Sequence, residues 1–349
     1  MLDGLLIAIR FIVILAITAL SPPADAQEDS RWAFRHLIVE NDDVFPLFAG
    51  GPSDRFYTHG FRLIFGKQIF DGGDTQPAEL PVWARFAARR CGACSIYPTF
   101  SIGQEVYTPQ DIESPDPQPG EHPWAAWLYG AVGASVDTRG GSRHEYQLRV
   151  GVIGEHTGAQ ALQDFWHRLI NRPKAAGWDN QLGNDVGFNA YYRFRDIWLR
   201  SDQSSRVHWD FGPTAEAAFG TMRTHARFGG VARIGRHAGD ALDPLLEGPV
   251  ERPLWPVSFD QVKIYGFIGA SVRIVGHNYF LEGSRFHDDP FTVERENVVR
   301  ELVLGVSARY KGWAMSYTIH RRSEEFKRLV GDDSGRHSYG SLRITRGIR

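Results

Sequence analysis

Three short stretches carry side chains whose types and spacing could do chemistry. Glu40-Asn41-Asp42-Asp43 sets three carboxylates and a carboxamide in a row, a hard-oxygen cluster of the kind that Ca2+ takes. The same four residues would also serve as a solvated, turn-forming strand end. In Asp54-Arg55-Phe56-Tyr57-Thr58-His59-Gly60 the residues Tyr57 and Thr58 begin an alternating segment on opposite faces,; the plain alternative is a loop-to-strand entry with Asp54 and Arg55 paired. The third stretch holds His167, four residues after Gln163 and three after Asp164, so on a helix these three share one polar side. A histidine held by a neighbouring carboxylate suits general-base work near neutral pH, and a lone surface histidine would leave the same trace. Downstream, Gly177-Trp178-Asp179-Asn180-Gln181-Leu182 reads as a lipid-facing or substrate loop, or as a hydrogen-bonded turn.

Other chemistries find no footing. There is no G-x-S-x-G elbow, and His144-Glu145 runs into Tyr146-Gln147-Leu148 and so fails the H-E-x-x-H pattern,. Gly60 to Gln68 misses a phosphate-binding loop in both spacing and hydroxyl. Cys91-Gly92-Ala93-Cys94 contains the sequence's two cysteines, too few soft ligands for a structural metal. In an exported chain the pair reads as a local disulfide staple, with a redox-active pair as the alternative.

Export itself is expected from the first 26 residues. Arg10 precedes an apolar run from Phe11 to Leu20 broken only by Thr18, and Ala24-Asp25-Ala26 supplies a cleavage site,. An uncleaved anchor would be short for a span of roughly 20 residues. Removing Asp3, Arg10 and Asp25 leaves 38 cationic against 39 acidic residues, a balance that argues against a nucleic-acid partner. No later run is long and apolar enough for a transmembrane helix.

The elements that must position these residues are strands. Segments at 31–42, 56–67, 95–107, 124–138, 142–155, 184–200, 204–222, 224–237, 259–278, 296–311, 313–326 and 337–348 alternate in polarity. In Tyr146-Gln147-Leu148-Arg149-Val150-Gly151-Val152 the even positions are apolar, and the pattern returns from Leu302 to Tyr310. No linker divides residues 27–349, so they form one domain. An even count of twelve suits an all-β, antiparallel transmembrane β-barrel, although a soluble sandwich shows similar alternation. Aromatics near strand ends (Trp124, Trp127, Tyr129, Tyr191, Tyr192, Trp198, Trp209, Tyr279, Phe280, Trp313, Tyr317) would form interfacial girdles,. One segment breaks the period: Ala161, Leu162, Phe165, Trp166, Leu169 and Ile170 recur at helical spacing until Pro173,. The spacing predicts a short helix over 161–171, in a loop or against the barrel wall.

In these stretches the sequence resembles the outer-membrane lipid A 3'-O-deacylase family. The matching pieces are E-N-D-D at 40–43, D-R-F-Y-T-H-G at 54–60, S-I-G-Q-E-V-Y-T-P at 101–109, W-L-Y-G at 127–130, G-V-I-G at 151–154, Q-D-F-W-H-R-L-I at 163–170 and G-W-D-N-Q-L at 177–182, in family order. The resemblance implies a twelve-stranded barrel and Ca2+-dependent hydrolysis of the ester that holds the 3'-acyloxyacyl group on lipid A. It implies Asn41, Asp42, Thr58 and His167 as site residues, with Asp42 holding the metal. It also implies lipopolysaccharide as substrate, outer-membrane lipid as surroundings and the outer membrane as location; a monomer is the expected state. The chain departs from the family at Glu121-His122-Pro123-Trp124-Ala125-Ala126 and at Asp185, where glutamate is usual, and keeps the four site residues. Two rivals stand beside this reading. One is an outer-membrane phospholipase using the same residues. The other is a non-enzymatic barrel, a pore or structural protein, which a mixed-charge lumen without a helix plug would favour.

Overall fold

Alternating polarity becomes a closed ring. The computed structural model describes residues 33–42, 56–71, 82–91, 94–138, 141–202, 206–236, 262–310, 312–327 and 336–348; the expected signal segment, Asp43, Asp54 and Arg55 lie outside them. Twelve strands form the wall: β1 Ala33–Asn41, β2 Phe56–Lys67, β3 Cys94–Thr108, β4 Ala125–Thr138, β5 Arg143–Ile153, β6 Val186–Arg195, β7 His208–Gly220, β8 Arg223–Arg236, β9 Lys263–Asn278, β10 Val298–Tyr310, β11 Trp313–Arg322 and β12 His337–Ile348. Each pairs antiparallel with the next, and β12 pairs with β1 from Ala33↔Ile348 to Asn41↔Gly340, so no edge remains open,. The twelve-stranded expectation holds. The segment expected at 184–200 stops as β6 at Arg195, because Asp196 turns its carboxylate onto the next backbone N–H at 2.8 Å,.

The two faces separate as the period requires. Tyr146, Leu148 and Val150 point outward and exposed, while Gln147 and Arg149 between them are buried in the lumen. A barrel this narrow must fill its own interior, and here charge fills it. Glu105 receives Arg149 at 2.9 Å, Arg223 at 2.7 Å and Arg62 at 3.7 Å, so removing that one carboxylate would strand three cations and cost about 3–5 kcal/mol. Around Glu40, Tyr57, Glu105 and Arg193 the side chains leave a cavity of about 20 Å3, room for on the order of one water. The lumen therefore has the mixed charge expected of a pore, but it is packed at this level.

Its mouth is also stoppered. The four-residue helix Tyr279–Glu282 drops Phe280 between Tyr107, at 4.4 Å between ring centroids, and the Arg223 guanidinium, at 4.6 Å. Several aromatics expected in girdles belong to this plug or to the lumen instead: Trp127, Tyr129, Tyr191, Tyr279 and Phe280 are buried. Tyr192, Trp198, Trp209 and Trp313 do face outward. The period cannot tell an inward aromatic from an outward one until the register is known.

We name the helices α1 Val82–Cys91, α2 Ala159–Ile170 and α3 Tyr279–Glu282. Only α2 is announced by the sequence pattern. No helix among the described residues is long and apolar enough to cross a membrane. Cys94, at the start of β3, is disulfide-bonded, in keeping with a local staple.

Candidate active site

The expected site residues gather where β1 finishes and β2 begins, on the outer surface of the wall. Leu37 and Val39 of β1 pack with Leu63 of β2, Tyr317 of β11 and Leu342 and Ile344 of β12, a patch covered by Trp166 of α2. Asn41 continues that outward row of β1. The site is thus outside the lumen, beneath a helix laid on the barrel.

A register slip aims Thr58. Tyr57 pairs with Tyr107 and His59 with Val106, so Thr58 is the extra residue of a bulge, the device that re-aims side chains at sheet ends. Tyr57 turns inward and its hydroxyl donates to Glu40 at 2.5 Å. The buried Thr58 hydroxyl meets that of Thr108 at 2.6 Å. Just before it, Phe56 sits at φ 66°, uncommon for a bulky residue and tolerable only under tight packing. Phe326 supplies it, edge-on at 5.1 Å, with His337 at 5.8 Å.

Asn41 and Asp42 are tied to the bulge by its backbone. The Thr58 carbonyl accepts from Asn41 Nδ2 at 3.1 Å and from the Asp42 N–H at 3.2 Å. Asn41 therefore presents Oδ1 as its acceptor, and both side chains are buried. The carboxylate of Asp42, the carboxamide oxygen of Asn41 and the hydroxyl of Thr58 are hard oxygen donors, a set that fits Ca2+ and offers nothing to a soft metal.

Helix α2 brings the histidine. Gly158, at φ 68°, starts it and Asn171, at φ 58°, ends it, left-handed positions that glycine and asparagine adopt with least strain. Its polarity is inverted relative to a soluble helix: Gln163 is 1% exposed and His167 3%, while Leu162 is 36% and Phe165 42% exposed. The polar side faces the wall and the apolar side faces outward, where a membrane barrel meets lipid. Gln163 accepts from the Trp178 indole at 2.8 Å. Trp178 packs in turn with Val106, Trp124, Ala126, Ala159 and Ala175, so 177–182 is a hydrogen-bonded turn anchored by the buried Trp178 and Leu182, with Asp179 exposed. Gly177 is required there, since a Cβ would lie 2.6 Å from the Trp124 indole nitrogen.

His167 Nδ1 lies 2.5 Å from the Pro173 carbonyl oxygen. A carbonyl only accepts, so Nδ1 carries the proton and Nε2 is the basic nitrogen of the neutral ring. The helical spacing suggests Asp164 for this orienting role, and the structure corrects it: Asp164 faces Lys174 at 3.7 Å. His167 is close enough to His59 for their charges to oppose, and His59 is the cross-strand partner of Asn41. The fold so brings His167 to the strand end shared by Asn41, Asp42 and Thr58. His59, Thr108 and Pro173 complete the setting without being singled out by sequence; only their outward parity or their place after α2 hints at it.

A second cluster lies at the same end of the barrel. Asp185, His287 and Asp289 offer ligand atoms within 4.8 Å of one another. Their bonds are internal: His287 Nε2 meets Asp185 at 3.0 Å, the Tyr279 hydroxyl donates to Asp185 at 2.9 Å, and the Gly183 N–H donates to Asp289 at 3.2 Å. Against the cost of desolvation, the hydrogen bond and charge of Asp185 raise the His287 pKa. The trio ties the loop after α2 to the loop after α3.

The family model described as "Outer membrane protein LpxR" matches residues 11–348. Among solved structures, LpxR from Salmonella typhimurium superposes with a TM-score of 0.70 at 23% identity, covering 90% of this chain and 99% of that one. The translocator domain of the autotransporter NalP from Neisseria meningitidis reaches a TM-score of 0.42 at 10% identity, covering 98% and 96%. No curated protein sequence matches.

Proposed function

The chain belongs to the LpxR family of outer-membrane proteins, and from that premise we propose that it is a Ca2+-dependent lipid A deacylase that hydrolyses the 3'-linked acyloxyacyl ester. The observation that carries this reading is the placement of His167: a buried imidazole, its proton fixed on Nδ1 by Pro173, on the outward side of the wall. A lipid ester lies beside a barrel and not in its lumen, so a base for that ester belongs on the outer face.

His167 Nε2 takes a proton from water as the water oxygen attacks the ester carbonyl carbon. The second Nδ2 hydrogen of Asn41 and the Thr58 hydroxyl are the donors that would meet the charge developing on the carbonyl oxygen, usually the largest contribution in acyl transfer. When the tetrahedral species collapses, the imidazolium returns the proton to the sugar oxygen, leaving a free hydroxyl and a carboxylic acid. Asp42 would hold the Ca2+, with Asn41 and Thr58 as further oxygen donors; when bound, the ion supplies Lewis-acid polarisation of the carbonyl. Thr58 as nucleophile is disfavoured, because its hydroxyl meets another hydroxyl, that of Thr108, rather than a base,. The packed lumen and the Phe280 plug weigh against the pore reading.

Mass spectrometry of lipid A from outer membranes expressing the wild type, His167→Ala and Asp42→Asn, each with Ca2+ or chelator, tests the proposal. Loss of one acyloxyacyl mass only in Ca2+-supplied wild type is expected. Unchanged lipid A from folded barrel, with phospholipid cleaved instead, would establish the phospholipase reading.

A further inference from the structure

The outer wall carries a second feature that the catalytic reading leaves unused. Across β8 to β11, and toward the start of β12, an open groove of about 610 Å3 is lined by Phe228, Ala270, Val272 and Leu302 together with Arg300, Arg321 and Arg336. Its shape follows from register. Phe228, Val272 and Arg300 form one lateral row, and Gly230, Ala270, Leu302 and Arg321 form the next. Ala270 presents only a methyl group outward, so the floor of the groove sinks between Phe228 and Leu302.

Charge makes the groove unusual. An outward arginine on a lipid-facing wall is costly at the midplane and nearly free at the interface. Arg300 lies two residues into β10 and Arg321 one residue before the end of β11, at the end of the barrel that bears the active site. Both are exposed, and neither has a carboxylate within ion-pairing distance among the described residues. The one carboxylate of the lining, Glu301, points into the lumen and is engaged by His320 at 2.8 Å and Arg322 at 3.5 Å. An apolar channel beneath two exposed guanidinium groups complements an amphiphile with an anionic head, and the planar fork of arginine suits phosphate in particular.

We propose that this groove docks one molecule of a phosphorylated glycolipid, lipid A, with a phosphate on Arg300 and Arg321 and an acyl chain over Ala270. The choice of lipid rests on the functional reading above; the groove itself does not. It lies on the side of the catalytic helix, since Tyr317, four residues before Arg321 on the outward row of β11, packs on the same Leu37 and Ile344 patch as Trp166 of α2. A lipid held there is a neighbour of the active site and distinct from the molecule being cleaved.

Native mass spectrometry of the full chain in detergent tests this, in a His167→Ala background that blocks turnover, with diphosphoryl lipid A, its dephosphorylated form and phosphatidylglycerol as probes. Two diphosphoryl lipid A molecules per barrel are expected. Arg300→Gln with Arg321→Gln is expected to weaken the second binding at least tenfold, and Arg300→Lys with Arg321→Lys to restore part of it. Ala270→Phe, which fills the floor without altering charge, is expected to lose the same molecule. Unchanged stoichiometry in both kinds of variant overturns the proposal. So does equal occupancy by dephosphorylated lipid A or by phosphatidylglycerol. Turnover of lipid A by the wild type is measured separately: a groove that binds in a protein without turnover leaves this inference standing and removes the deacylase reading, and turnover with an empty groove does the reverse.

Discussion

The Nδ1 proton of His167 is held by the Pro173 carbonyl at 2.5 Å, and not by Asp164, which faces Lys174. A backbone acceptor fixes the tautomer without adding a titrating partner. It also ties the orientation of the base to the chain that follows α2, where Pro173 stops the helix and the Arg172 N–H returns to the His167 carbonyl at 2.8 Å.

Asp164→Asn should therefore leave deacylation within about threefold of wild type, with the pH-rate profile unshifted. His167→Ala should lose about 10^2 to 10^4-fold, the range of a general base. A displaced pH profile in Asp164→Asn would restore the carboxylate to the orienting role.

Thr58 is placed by a bulge and meets Thr108 through hydroxyls at 2.6 Å. Thr58→Val keeps the shape and removes the donor, and should lower turnover about 10^2 to 10^3-fold. Thr58→Ser should recover most of it. Equal loss in both variants, with the barrel folded, would mean that the methyl group matters and the hydroxyl does not.

The mouth of the barrel should respond to acid through His122. Burial pushes its pKa down from 6.5 to about 4, against the opposing hydrogen bond to the Pro123 carbonyl and the charge of Glu325. The ring is stacked 5.3 Å from Tyr107. Because the folded pKa is depressed, the unfolded chain binds the proton first as pH falls. The associated stability is complete above about 6.5 and is lost between 6.5 and about 4, up to about 3 kcal/mol. Denaturant titrations across that window should show a slope that His122→Phe reduces. The same slope in the variant would place the titration elsewhere.

The outward apolar side of α2 gives a test of the lipid-facing site. Phe165→Glu puts a charge on an exposed position of the helix. Turnover of bilayer-embedded lipid A should fall more than tenfold, while a short-chain ester dispersed in micelles should be cleaved at the wild-type rate. Equal losses on both substrates would make Phe165 a packing residue.

Twelve strands were legible because alternation needs no partner: a residue such as Arg149 between Leu148 and Val150 announces two unlike faces from its neighbours alone,. The helix was legible for the same reason, its period being local. The four expected site residues came from matching stretches, and their chemistry could be read from type: a base, hard oxygens, a hydroxyl.

Which way any of these faces was a tertiary decision. The polar side of α2 looks inward only because the other side meets the lipid-facing exterior of a closed barrel, and closure depends on β12 finding β1 more than 300 residues away in sequence. The bulge at Thr58 exists only in the pairing of β2 with β3. The acceptor that orients His167 is a main-chain carbonyl, identical in every residue type and so invisible to composition. Chain-local periodicity sets the elements; register and closure, which join residues distant along the chain, set the site.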